Sequence, residues 1–410
     1  MKKITYKDLQ LDIEKEFTED IEEDIKNTFY DYADATEINY LEEKHFHNLL
    51  IDTIEIKGHY LVDAITNRIK KRLDLQHSLE FKLYLYQEDE FNINCFLRNE
   101  QTKGLNDKSK LTKTLYVFVS QHFFNNLTED EQVGIIGHEV AHQLFEHLKY
   151  PIKSILSEKM DANTAWKLKS NLIYRAKISE VTADLIGLVS NDFNYRSYST
   201  ALIKYTTGLD DSANSTFSIS PLIDIVLKQY DNFAKDPYIH EMISSHPIMP
   251  LRVKIINEVV KTKMIKHFGD TVSNVKHENY KKEFNKKVNN LIKSIYPELF
   301  LENEQVNDII ILMSIAVVLA DGQIHESEDK YIKSLLKKSK KDFSRFSNLV
   351  FNDNENTSYN EKIEQLTSEA IMIATKKNFD ETLIVPIIRK LLLVAASDGE
   401  IVKEELNVIF

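Results

Sequence analysis

The chain has 410 residues, room for two or three domains, and its 42% hydrophobic and 28% charged residues are ordinary for a soluble protein with real cores. A net charge of −12 argues against non-specific binding to nucleic acid or to an anionic membrane, since both need basic surface. The single cysteine, Cys95, rules out an intramolecular disulfide and fits a reducing compartment.

The first residues, Met-Lys-Lys-Ile-Thr-Tyr-Lys-Asp, lack the apolar core of a secretory signal. The longest apolar run, Ile309 to Ala320, is too short to span a bilayer and suits a buried helix. The expectation is a cytoplasmic protein with no integral membrane segment. Residues 1–43 hold fourteen acids against five lysines. Leu9, Leu11, Ile13, Phe17, Ile21 and Ile25 recur there at roughly helical spacing, which predicts an amphipathic helix docked on its neighbour, with a cleft-covering segment as the alternative. His47 to Leu75 reads as a second helical stretch ending in a basic run. Leu79 to Leu85 alternates as a half-buried strand does, and Phe91 to Leu97 and Leu115 to Ser120 are further strands. The polar residues 99–113, with Gly104, read as a loop.

A well-signalled helix follows. Thr128 and Glu131 form a capping box, Val133, Ile136, Val140, Leu144 and Leu148 line one face, and Pro151 predicts a stop near Tyr150. This helix carries Gly137-His138-Glu139-Val140-Ala141-His142. Residues four apart share a helix face, so both imidazoles can reach one metal ion, and the glutamate between them can act as general base. A catalytic zinc takes three protein ligands and keeps one position open. The third ligand should be a His, Asp or Glu on another element. Glu180 is the best candidate, on a helical stretch from about Ala165 to Ser190. Asp184, four residues on, shares its face and can accept the other N–H of a ligating histidine. Read alone, these two acids fit an exposed helix face better. Beyond them come a helix near Tyr198 to Thr206, a polar loop, and a loop from Ser244 that enters a helix through His246-Pro247 and Arg252. By residue type alone, His246 is equally a loop residue and Arg252 equally a solvated helix cation.

The ordered set His138-Glu139-x-x-His142, Glu180-x-x-Ala183-Asp184 and His246-Pro247-x4-Arg252 resembles the gluzincin peptidases related to HtpX, Oma-type and CAAX-prenyl proteases, over about residues 48–260. Asn94-Cys95-Phe96 is similar to that family's Asn-Ala-Phe segment. The resemblance implies a zinc endopeptidase with one Zn2+ per chain and a protein or peptide substrate. His138, His142 and Glu180 are then ligands and Glu139 the general base. His246 would stabilise the oxyanion, Arg252 would brace the site, and strand 115–120 would be the sheet edge that pairs with an extended substrate. Many relatives are membrane-embedded or exported, and this chain shows neither a span nor a signal.

Lys261 to Lys293 reads as a helical connector. The last part contains an echo: Ala320-Asp321-Gly322-Gln-Ile324 with Glu328, and Ser397-Asp398-Gly399-Glu-Ile401 with Glu405. Half an EF-hand loop is excluded, because its first two ligand positions would fall on Val317 and Leu319, and on Val394 and Ala396. The repeat resembles the TerB-like, tellurite-resistance-associated helical domain over about residues 300–410. That implies an all-helical docking or regulatory module in stress or defence assemblies, with Asp321, Glu328, Asp398 and Glu405 as candidate metal positions. The expected fold is α+β: an acidic helical segment (1–45), a mostly helical zincin-type peptidase domain with a small sheet (46–260), a connector (261–298) and an all-α C-terminal domain (299–410). The rival readings are a silent peptidase-fold scaffold and a metal-sensing stress-response protein.

Overall fold

In the computed structural model, which describes residues 1–28, 35–75, 79–88, 92–103, 109–147, 162–209, 221–235, 246–296, 304–320, 358–376, 384–395 and 403–409, the alternating segments form one four-stranded mixed sheet. Its strands are β2 (Ile54–Glu55), β3 (Glu80–Tyr86), β4 (Ile93–Lys103) and β5 (Ser109–Ser120), in the order β2-β3-β5-β4. Side chains alternate across a pleated strand, so the sheet sorts its residues onto two faces. Leu115, Val117 and Val119 enter the main core, together with Leu83, Ile93 and Cys95. Tyr116 and Phe118 point the other way, where they meet Tyr84, Phe96 and Phe46 of α2 (Ala35–Asp52) in an aromatic cluster.

Two expectations about this sheet are corrected. Residues 99–103 and 109–113 are strand and not loop: β4 and β5 continue as a long antiparallel ladder up to the pair Lys103↔Ser109, and residues 104–108, Gly104 among them, lie outside the described residues. Such a ladder is held by backbone hydrogen bonds, which polar residues make as readily as apolar ones, so polarity misleads there. Strand 115–120 is also not an edge. β5 lies between β3, to which it runs parallel, and β4, to which it runs antiparallel, so among the described residues the edge on that side is β4. Ser120 N–H bonds to the Asn92 carbonyl, which sets the alternation and turns the backbone groups of Ile93, Cys95 and Leu97 toward the free edge.

The stretch from His47 to Leu75 is split. It contains the end of α2, β2, and α3 (Tyr60–Arg72), with Gly58 at φ +65°, where a side chain would be strained. The N-terminal residues pack closely onto the core. β1 (Lys2–Lys3) pairs with β6 (Thr271–Val272), and Leu9, Leu11, Ile13 and Ile21, the last two on α1 (Asp12–Thr28), are buried.

After α4 (Gln121–Asn126), the motif helix α5 (Glu129–Leu144) opens with the expected capping box and is buried on nearly every side. It stops at Leu144 rather than near Tyr150. Phe145 caps it, and Glu146 takes a left-handed φ of +54°. The Arg175 guanidinium donates to the carbonyls of Glu146 and His147 at 3.1 and 2.9 Å, so a distant cation satisfies the turn after the helix, and Pro151 lies outside the described residues. Arg175 sits on α6 (Ala162–Ser190), the helix that packs along α5.

Small residues let these two helices approach. A Cβ on Gly187 would meet the Tyr198 hydroxyl at 2.5 Å and the Gly134 carbonyl at 2.7 Å, and the second of these is backbone that cannot move aside. Gly187→Ala is therefore expected to destabilise the protein by about 1–3 kcal/mol, read from the midpoint of chemical denaturation.

Next come α7 (Tyr195–Thr207), α8 (Leu222–Phe233), α9 (Met249–Val259) and the short α10 (Lys263–Lys266). α8 falls where only a polar loop was expected, although its Ile223, Val226 and Tyr230 recur at helical spacing and are buried. The expected connector contains α11 (Asn274–Ile295), whose Phe284, Val288, Ile292 and Ile295 join the main core. The described elements beyond it are helices: α12 (Glu304–Val318), α13 (Tyr359–Lys376), α14 (Ile384–Ala395) and α15 (Lys403–Ile409). They share a second core built on Leu312, Ile315, Leu366 and Leu391. Asp321, Glu328 and Asp398 lie outside the described residues, and Glu405 is on α15. No described helix is long and apolar enough to cross a membrane.

Candidate metal centre

His138 and His142 face one another on successive turns of α5, with their Nε2 atoms 3.1 Å apart. α6 brings Glu180 against both. Its Oε2 lies 3.4 Å from His138 Nε2 and its Oε1 3.4 Å from His142 Nε2. Bonds of about 2.0–2.1 Å at tetrahedral angles separate neighbouring donor atoms on zinc by about 3.3 Å, so this triangle has the dimensions of one face of a zinc site. The donor atoms of His138, Glu139 and His142 likewise all lie within 4.8 Å of one another.

The protons support the same fit. His138 Nδ1 lies 3.0 Å from Asp184 Oδ1, and a neutral imidazole has only one N–H. Once it gives up its second proton, His138 donates through Nδ1 and leaves the Nε2 lone pair facing His142 and Glu180. Asp184 is fixed in turn: Arg252 of α9 donates Nε to Oδ2 and an Nη to Oδ1, both at 2.7 Å, and the Tyr198 hydroxyl donates to Oδ1 at 2.9 Å. Arg252 also lies 3.4 Å from Glu180 Oε2. His246 Nε2 lies 3.6 Å from Glu180 Oε1, with 64% of its side chain exposed, so it stands on the open side of the site. The structure thus brings together seven of the residues singled out in the sequence: His138, Glu139, His142, Glu180, Asp184, His246 and Arg252.

Burial and the site's charges shift the acidity of His138, Glu139, His142 and Glu180. Burial alone would lower His138, yet Asp184 and Glu180 hold it up to about 10. Burial drives His142 well below its ordinary value, and the neighbouring His138 charge adds to that. Glu180 opposes burial and stays well below the carboxylate range beside His138, His142 and Arg252. Burial pushes Glu139 up to about 7, with the Glu180 charge adding to the rise and His138 and Arg252 opposing it. One proton on His138 partly offsets the carboxylates here, and a divalent ion could take its place.

Several contributors had no signal in the sequence. Tyr198 reaches Asp184 from α7, and Gln143 Nε2 donates to the Cys95 carbonyl at 2.7 Å, tying the motif helix to the edge strand. His147 Nδ1 lies 2.9 Å from His142 Nδ1, and Glu14 of α1 lies behind it. None of these contacts follows a helical or strand period, because each crosses between elements.

A buried His-Glu-x-x-His helix, a carboxylate from a second helix and an open side make a cluster that could hold a metal ion. Residues 62–260 match the model of peptidase family M48, which supports an M48 zincin-like metallopeptidase. No curated protein and no solved structure matches the chain.

Proposed function

We propose that the chain is a zinc-dependent endopeptidase that cleaves extended segments of protein substrates in the cytoplasm. The observation that carries this reading is the convergence of His138 Nε2, His142 Nε2 and the Glu180 carboxylate at zinc-ligand spacing beside Glu139. These three residues would hold the metal. A zinc ion there supplies Lewis acidity, activating water near neutral pH and polarising the scissile carbonyl. Glu139 takes the proton of the attacking water and returns it to the leaving amine. His246, exposed beside Glu180, donates toward the developing oxyanion. Arg252 and Asp184 hold His138 in the tautomer that presents Nε2. The substrate pairs with the free edge of β4, where the backbone groups of Ile93 and Leu97 face outward, while the Cys95 carbonyl is taken by Gln143. The helices beyond residue 304 act as a TerB-like all-α domain for docking or regulation in a stress or defence setting, the reading that the sequence repeat supports.

The test is metal titration together with hydrolysis. Wild-type protein should bind one zinc per chain and cleave an unfolded protein, and a chelator should abolish cleavage. Binding at His138 displaces its proton, so apparent affinity should rise about tenfold per pH unit below about 10. A chain that binds no zinc contradicts this reading. Zinc binding without cleavage of any unfolded protein would favour the scaffold or sensor reading instead.

A further inference from the structure

His138 is oriented directly by Asp184, whereas the group behind His142 is another imidazole. His142 Nδ1 lies 2.9 Å from His147 Nδ1, and His147 Nε2 lies 3.0 Å from Glu14 Oε1, approached along a bent line. His147 and Glu14 are fully enclosed, with side-chain exposures of 2% and 0%. If all three groups keep their ordinary neutral or anionic forms, only one arrangement of protons satisfies the chain. Glu14 is an acceptor, so His147 must carry its proton on Nε2, which leaves the Nδ1 lone pair to accept from His142. His142 must then carry its own proton on Nδ1, and its Nε2 is left bare toward His138 and Glu180.

Resting on the zinc reading above, we infer that Glu14 and His147 are positioning residues of the metal centre, and that helix α1 is therefore part of it. Glu14 does for His142, through His147, what Asp184 does for His138. The carboxylate comes from outside residues 62–260, the stretch matched by the family model. The surrounding contacts hold this arrangement in place. Thr182 of α6 donates its hydroxyl to Glu14 Oε2, and Gln10 Nε2 donates to Oε1 at 3.1 Å. Arg175 binds the carbonyls of the turn that carries His147, and its Nε donates to Thr18 of α1 at 3.0 Å, so one guanidinium clamps the turn and the helix together. The left-handed Glu146 is what swings His147 back under His142.

The experiment measures zinc affinity by competition with a chromophoric chelator in the full chain, alongside thermal unfolding of the metal-free protein. Glu14→Ala and His147→Ala should each weaken zinc binding by about 10- to 100-fold. Glu14→Gln, whose amide oxygen can still accept from His147, should recover most of that loss. Leu83→Ala, at a buried core residue of β3 that is no part of the relay, should lower the unfolding temperature and leave zinc affinity within about twofold of wild type. Should an alanine variant fail to fold, 15N–1H NMR of histidine-labelled wild type reads the same proposal, with His147 expected as the Nε2–H tautomer. Alanine variants that bind zinc like a zinc-binding wild type, or an Nδ1–H tautomer at His147, overturn this inference and leave the zinc assignment standing. A wild type that binds no zinc overturns both.

Discussion

Replacing Glu139 with Gln is expected to lower kcat/KM for an unfolded protein substrate by at least about 10²- to 10⁴-fold, the range that a positioned general base contributes. Zinc stoichiometry should stay at that of wild type. The substitution keeps the size and the helix and removes only the ability to take a proton. Glu139 is partly exposed at the site while its histidine neighbours are buried, so its carboxylate is the one in the motif open to substrate and water. Its acidity gives a second reading of the same residue. Burial pushes it up to about 7, and a bound divalent ion lowers that value, so the acid limb of the wild-type pH profile should have its midpoint below about 7. Robust cleavage by Glu139→Gln, measured on metal-replete protein, would remove the residue from the mechanism and reopen the scaffold and sensor readings.

The second large effect belongs to the pair beneath His138. Asp184→Ala leaves Arg252 buried without its bidentate partner, and breaking a buried pair from one side costs about 3–5 kcal/mol. Zinc affinity should fall as well, because His138 loses the acceptor that fixes its tautomer. The double variant Asp184→Leu with Arg252→Met should regain much of the stability, since apolar residues of similar size often replace a buried ion pair at little cost. It should not regain the zinc affinity. Equal recovery of both quantities would show that Asp184 acts on fold stability alone. The pair also predicts acid sensitivity. Arg252 and His138 hold Asp184 below its ordinary 3.8 in the folded state despite burial, so its contribution is complete above that pH and is lost as the pH falls through the folded value.

Chemistry confined to one helix was legible from the sequence. The capping box at Thr128 and Glu131 forms as expected, and the four-residue spacing of His138 and His142 puts both imidazoles on one face. Glu180 and Asp184 were legible for the same reason, as two acids one helical turn apart on α6, and the helix carrying them spans nearly the expected residues. The strand expected at Leu115 to Ser120 forms within β5, and its period of two, a local property, sets core-facing Leu115, Val117 and Val119 apart from the aromatic face.

Other features are not periodic, and the local sequence does not encode them. Which strand forms the sheet edge depends on the order of pairing, so β5 reads identically whether it lies inside or outside. The carbonyls of the turn after α5 are bound by Arg175 of α6, a partner that no local pattern names. The bidentate partner of Asp184 arrives from α9 and its second donor from α7. Behind His142, the relay joins a residue after a left-handed turn to a carboxylate near the chain's start, and no spacing rule connects positions 14, 142 and 147. The sequence by itself determined which groups can do chemistry and on which helices they ride. Only the tertiary structure decided which groups stand behind them, because a buried polar atom takes its partner from whatever element packs nearest in space.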